Sequence, residues 1–182
     1  MKTKLLYSVI ILTMLILSSG RKISAQQALE VSTSERFIAY SLYNFSKLID
    51  WPNSASASIF KVAVVGDKRV YVELLSLAQN KKIGNAMYTI IFYKDISEVV
   101  GYHQMIYLSN IQSGRIAELK EQIKSGGVLL VTERKGMSDQ GSTISFQTND
   151  NGTMGFEIAK ENAIKNQLTI RSQLERMATR II

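Results

Sequence analysis

The stretch Leu42-Tyr43-Asn44-Phe45-Ser46-Lys47-Leu48-Ile49-Asp50-Trp51-Pro52 sets the only tryptophan of the chain against its only proline, at the end of an apolar-rich run. Ile38, Leu42, Phe45, Leu48 and Ile49 recur at the three- and four-residue spacing of a helix that buries one face. Tyr40 and Tyr43 are read as widening that stripe. Proline lacks the amide hydrogen, its ring clashes with the preceding turn, and it pushes the residue before it toward extended geometry. The helix is therefore predicted to stop at about Asp50 or Trp51, with Trp51 carried off its end to cap a core.

Residues 1–25 read as an export signal. Lys2 and Lys4 start it, Leu5 to Leu17 is an almost unbroken apolar run of 13 residues, and Ile23-Ser24-Ala25 offers a cleavage position after Ala25. The run falls short of the ~20 residues that span a bilayer, although retention as an uncleaved anchor is the alternative reading. The segment holds four basic residues (Lys2, Lys4, Arg21, Lys22) and no acid, so the net charge of +7 falls to +3 without it. A binder of phosphate backbones keeps a concentrated basic face, and here only the doublet Lys81-Lys82 remains, which reads as a solvated turn. Nucleic acid is not an expected partner.

The 157 residues that follow, 26–182, suit one α/β domain. The absence of cysteine excludes disulfides, thiolate metal sites, thiol redox chemistry and a lipoprotein-type anchor. Lys61 to Val65, Tyr88 to Tyr93, Met105 to Leu108 and Val128 to Val131 read as strands, with helical periodicity at Val70 to Gln79 and Gly114 to Lys124. Ser113 is the predicted N-cap of the latter and Gly126 its C-cap. Apolar strands alternating with helices predict a mostly parallel sheet flanked by helices. Alternation around Ile144 and Phe146, and around Met154, Phe156 and Ile158, with Asp150-Asn151-Gly152 between, predicts a late antiparallel hairpin that extends the sheet. A last helix is predicted from about Arg171 to Ile182, with Leu174, Met177 and Ile181 on one face and an Arg171–Glu175 pair on the other. Asn53 to Ser58 is the only linker-like patch.

Chemistry is sparse. A single histidine, His103, rules out paired-histidine zinc motifs within one chain, and no Gly-x-Ser-x-Gly elbow accompanies it, so it reads as structural. Neither Gly-x-Gly-x-x-Gly nor Gly-x-x-x-x-Gly-Lys occurs, so no nucleotide cradle is signalled. No metal, cofactor or catalytic set is expected. Asp67 follows Gly66 after the first sheet strand, where open α/β sheets place ligands, and equally suits the N-cap of the next helix. Glu133 and Asp139 flank a polar, glycine-bearing loop after the last parallel strand, the other place to look for binding. Glu157 and Glu161 straddle the end of a late strand and read as surface acids.

A helix reading Leu-Tyr-Asn-Phe-x-Lys and closing on Trp-Pro soon after an export signal resembles the YfiR-like family of bacterial periplasmic proteins. Phe60 to Asp67 resembles the family's first strand, Gly141 to Phe146 its late strand, and Gly155 to Ala178 its closing strand and helix. The similarity covers roughly residues 35 to 180. It implies a non-enzymatic regulator that docks on the extracytoplasmic domain of a membrane-bound diguanylate cyclase or sensor kinase and represses it, with consequences for cyclic di-GMP and biofilm formation. A second copy of the chain is a further implied partner. The chain departs from many relatives in having no cysteine, and Tyr102-His103 stands about where they often have Cys-His, so no redox switching is carried over. The rival readings are a periplasmic small-ligand-binding sensory protein and an enzyme with an unrecognised carboxylate site.

Overall fold

The computed structural model describes residues 32–52, 57–123 and 126–182. The expected export signal, its cleavage after Ala25 and most of the linker-like patch lie outside the described residues. The apolar stripe that begins at Ile38 forms helix α1, Thr33–Leu48, which opens with a capping box: Ser32 caps it and Glu35, at the third position, reaches back to the Ser32 backbone. Ile38, Leu42 and Phe45 are buried against the sheet. Tyr40 is 53% exposed, because it lies ~200° round the helix from Ile38 rather than beside the stripe.

The helix ends two residues before the predicted stop. Proline constrains only Trp51 directly. What claims Ile49 and Asp50 is an antiparallel ribbon, strand β1 (Ile49–Asp50) pairing with β9 (Thr169–Ile170). Trp51 is buried as expected: its indole Nε1 donates to the Ser46 carbonyl at 3.2 Å and its ring meets Phe60 edge-on at 4.9 Å.

The main sheet has eight strands in the order β10-β8-β7-β6-β5-β2-β4-β3. Strands β2 (Ile59–Val65), β4 (Ala86–Tyr93), β5 (Met105–Leu108), β6 (Leu129–Thr132) and β7 (Ile144–Thr148) run parallel, while β3 (Lys82–Ile83) and β8 (Met154–Ile158) are antiparallel to their hairpin partners β4 and β7. Val62 through Val65 are inaccessible to solvent on both faces, which is why that run lacks alternation. The mostly parallel sheet flanked by helices, with its late hairpin, is thus the fold that the pattern predicts.

One face is covered by α1 and by α2 (Lys68–Ala78), whose Val70, Leu74 and Ala78 join the core beneath. The other is covered by the short helices α3 (Asn110–Ser113) and α4 (Ile116–Gln122), and by a 3-10 turn at Ile96–Glu98. Ser113 does not cap α4. It ends α3, and its buried hydroxyl lies 2.8 Å from the Ser109 carbonyl and 3.0 Å from that of Leu108. Nor does Gly126 end α4, which stops at Gln122; the positive φ of 84° belongs to Gly127, packed against Pro52.

In the late hairpin only Gly152 has positive φ, and the Gly152 amide donates to the Asn149 carbonyl at 2.9 Å, so the turn is longer than the two-residue Asn-Gly turn. The predicted terminal helix is absent. After α5 (Lys160–Lys165), a single helical turn, α6 (Ser172–Glu175), buries Leu174, and Arg180–Ile181 then forms β10, parallel to β8. Met177 and Ile181 are left exposed. The predicted Arg171–Glu175 pair is replaced by two longer-range ones: Arg171 meets Asp50 at 2.6 Å and Glu175 meets Lys160 at 2.7 Å.

Candidate functional site

Strands β2, β5 and β6 end level with one another, Val65 beside Leu108 and Leu108 beside Thr132. The residues just past them, Gly66-Asp67, Ser109-Asn110 and Glu133, form the carboxyl edge of the parallel sheet, where such folds present loops to ligands. Gly66 has φ +85°, and a Cβ there would stand 2.5 Å from the Ser109 hydroxyl and 2.7 Å from the Gln112 side chain. Only glycine lets these two loops approach. The Ser109 hydroxyl itself is buried and without a hydrogen-bond partner among the described residues.

Asp67 is the N-cap of α2: its Oδ1 accepts from the amides of Arg69 at 2.8 Å and Val70 at 3.3 Å. Its other oxygen lies 3.6 Å from the Arg69 guanidinium, which binds the Glu35 carboxylate at 2.9 Å. Glu35 also accepts from the Ser32 amide at 2.8 Å and from the Ser32 hydroxyl. Burial pushes its pKa up, but the bonds from Ser32 and the charge of Arg69 outweigh that and hold it below the usual carboxylate value.

Glu133 accepts the Tyr107 hydroxyl proton at 2.6 Å and the Asn110 amide at 3.2 Å, while its own amide donates to Ser113 Oγ at 3.1 Å. Here the balance is opposite. Burial raises the Glu133 pKa, with the negative charges of Asp67 and Glu35 adding to it, and the bonds from Tyr107 and Asn110 recover only part. Burial and the Glu133 charge together push the Tyr107 hydroxyl well above its ordinary value. The edge is thus an acidic cluster of three carboxylates with one arginine, suited to holding a proton or accepting from donors. It lacks a nucleophile paired with a base.

The structure brings Asp67 and Glu133 to this edge and leaves Asp139 elsewhere. The loop after Glu133 folds back along the sheet, so that Asp139, on a 3-10 turn at Ser138–Gln140, lines a separate hollow of ≈ 260 Å³ with Ala159, Glu161 and Asn162. Asn162 fixes that turn by donating to the carbonyls of Ser138 and Ser142, both at 2.8 Å. Glu161 is exposed and 3.6 Å from Lys165, whereas Glu157, read as a surface acid, is buried on β8. His103 is buried, with Nε2 3.2 Å from the Tyr93 hydroxyl and Nδ1 3.2 Å from the Gly101 carbonyl. Burial lowers its pKa. Among the described residues no three histidine, aspartate or glutamate side chains stand together as a metal site, and no helix is long and apolar enough to cross a membrane.

Tyr107, Glu35 and Arg69 were not legible as part of this edge, although two of them left a trace. Tyr107 is the one hydroxyl in the otherwise apolar strand Met105–Leu108, one residue from its end. Ser32 followed by Glu35, just ahead of the apolar stripe, is a capping-box signature.

A solved structure described as a conserved domain protein from Vibrio cholerae O1 biovar El Tor str. N16961 is similar at a TM-score of 0.47 and 11% identity, covering 80% of this chain and 60% of that one. This chain therefore spans less than two thirds of that protein's length. No curated protein sequence matches it. The YfiR/HmsC-like family model matches residues 35–179, from the first turn of α1 to the threshold of β10. The chain belongs to the YfiR/HmsC-like family, a family of non-catalytic periplasmic regulators of cyclic di-GMP signalling.

Proposed function

We propose that this protein docks on the extracytoplasmic domain of a membrane-bound diguanylate cyclase and holds that enzyme inactive until envelope conditions change. The observation that carries the reading is the family match over nearly all of the described fold, residues 35–179. The acidic edge supports it as well, since it offers charge and hydrogen-bond acceptors but no catalytic pairing. Residues 1–25 act as the export signal in this reading, and the intact mass of the protein recovered from the envelope tests removal after Ala25.

Genetic epistasis tests the main claim. Deleting the chain raises cellular cyclic di-GMP and biofilm formation, and deleting the cyclase as well abolishes the rise. Cyclic di-GMP that stays level in the single deletion, with no membrane protein copurifying, overturns the reading. A small-ligand sensory role is the second reading, favoured by Asp67 and Glu133 standing together at the edge where α/β sheets take ligands. Asp139, on its separate hollow, belongs to that reading only as an independent contact.

A further inference from the structure

Five residues of the Leu-Tyr-Asn-Phe-x-Lys…Trp-Pro stretch, Ser46, Lys47, Ile49, Asp50 and Trp51, line one open cleft of ≈ 480 Å³ between the end of α1 and the turn joining β3 to β4. Burial of the helix explains Leu42 and Phe45, yet it does not explain a lysine at the rim. Lys82 and Arg171 face the same cleft, and Asp50 is the only acid among its lining residues. Asp50 is engaged by Arg171 through both Nε at 2.9 Å and Nη2 at 2.6 Å. Neither Lys47 nor Lys82 has a carboxylate within 4.0 Å among the described residues, and Lys47 instead rests 4.2 Å above the Tyr43 ring. The lining therefore carries two cations in excess. The rest of the lining is mixed: Ile83, Ile49 and Trp51 give it an apolar part, and Ser46 and Asn85 add uncharged polar side chains.

Below lies an aromatic group: Trp51 against Phe60 at 4.9 Å, Phe60 stacked on Tyr88 at 5.5 Å, and Tyr88 edge-on to Tyr43 at 5.9 Å. The Tyr88 hydroxyl is buried beneath the cleft, on the side of Ser46, which lines it. An uncompensated cationic rim, two uncharged polar side chains and an apolar patch are the complement of one chemical class.

We propose that this cleft binds a small organic anion, its charged group held between Lys47, Lys82 and Arg171 and its apolar body laid against Ile83 and Trp51. The site is separate from the acidic edge beyond β2, β5 and β6, whose carboxylates repel such a ligand. It does not depend on the identity of any membrane partner.

Trp51 is the chain's only tryptophan, so its fluorescence reports on this wall alone. The probes are benzoate, the uncharged analogue benzyl alcohol, and inorganic phosphate, titrated into the purified protein. Benzoate is expected to change Trp51 emission saturably and benzyl alcohol to leave it unchanged. Lys82→Glu, at an exposed position, should weaken benzoate by about tenfold or more, the scale of a lost charge-assisted contact, without lowering the thermal midpoint. Lys135→Glu, which faces a different hollow, should leave the titration unchanged. Flat titrations with both anions overturn the proposal. So does benzoate binding that survives Lys82→Glu, or that falls equally with Lys135→Glu, which would mark a response to net charge only. Phosphate that saturates as readily as benzoate overturns the organic part and leaves a simple anion site. If both small anions leave Trp51 emission flat while an acidic peptide changes it saturably, the small-anion proposal falls and the cleft is a protein-docking surface instead.

Discussion

On the α1 and α2 side of the sheet the core is packed with rings, whereas on the α4 side it is almost wholly aliphatic. Phe45 touches two other rings, stacked on Phe146 at 5.9 Å and edge-on to Phe156 at 5.0 Å, and the group extends to Phe37 and Tyr107. The opposite cluster is built from Val65, Ile106, Leu108, Ile116, Leu119, Leu130 and similar residues, with Tyr93 only at its rim. Large rings bury more area each and add a geometric preference worth about 0.5–1.5 kcal/mol per pair. The α4 side compensates with polar ties around its border. Arg115 binds Asp95 at 2.7 Å and Glu118 at 2.7 Å, joining the Ile96–Glu98 turn to the start of α4. The difference predicts that the ring-packed face carries more of the stability and that the aliphatic face is the first to open locally.

The sharpest way to break that comparison is to truncate one side chain on each face. Phe45→Ala is expected to cost about 3–5 kcal/mol, since it leaves a hole between two rings that cannot close over it. Leu119→Ala should cost about 2–3 kcal/mol, because the single short helix that carries it can settle inward. Urea denaturation midpoints measure both. Equal losses would show that the two faces share the load.

Titration sharpens the contrast, because the two faces hold groups shifted with opposite consequences. Burial keeps the His103 pKa below its ordinary 6.5, so the unfolded chain takes up the proton more readily. Stability is therefore lost as pH falls through 6.5 toward the lower folded value, and His103→Phe should flatten that part of the pH profile. Glu133 runs the other way. Its folded pKa lies above the ordinary 4.5, so its ionised form is a burden at neutral pH that lifts as pH falls through the raised value. Glu133→Gln still accepts from Tyr107 and should be more stable than the parent protein at neutral pH, the two converging below 4.5. A parent protein already more stable than the variant at pH 7 would mean that the Tyr107 bond outweighs burial and the neighbouring acids.

The aromatic face was readable in the sequence because its parts obey local rules. Ile38, Leu42 and Phe45 repeat with the helix, and Trp51 before Pro52 marks a break whatever surrounds it. The strand core was readable for the same reason, as Val62 to Val65 can only be buried on both sides. What resisted reading was decided at long range. Leu174, Met177 and Ile181 have helical spacing, yet the sheet had an open edge beside β8, and pairing there took Arg180 and Ile181 into β10. The α1 stop was likewise set by pairing with Thr169 and Ile170, about 120 residues away. At the acidic edge, Asp67 was legible as a cap from its place before Val70. Its neighbours Glu133 and Glu35 are 98 positions apart in the chain, and only the topology brings them to one rim.

The smallest effect expected is at Arg171, and it tests whether polar ties matter equally on both sides. Arg171 and Asp50 are both more than half exposed, at 55% and 53%, so their attraction acts largely through water and competes with the entropy of two free side chains. The ribbon they decorate is already closed by backbone bonds, including the Arg171 amide to the Leu48 carbonyl at 3.1 Å. Arg171→Gln should therefore leave the urea midpoint within experimental scatter. Arg115 stands differently. Its guanidinium meets Asp95, Gln112 and Glu118 at once, with Asp95 held well below the usual carboxylate range by the Ser97 amide and by Arg115 itself. Removing it unfastens a turn that no ring anchors, so Arg115→Gln should lower the midpoint measurably, and 1 M salt, where charges are screened within about 3 Å, should shrink that difference. If Arg171→Gln destabilises as much as Arg115→Gln, the β1–β9 ribbon depends on its ion pair, and the aromatic face is less self-sufficient than its packing implies.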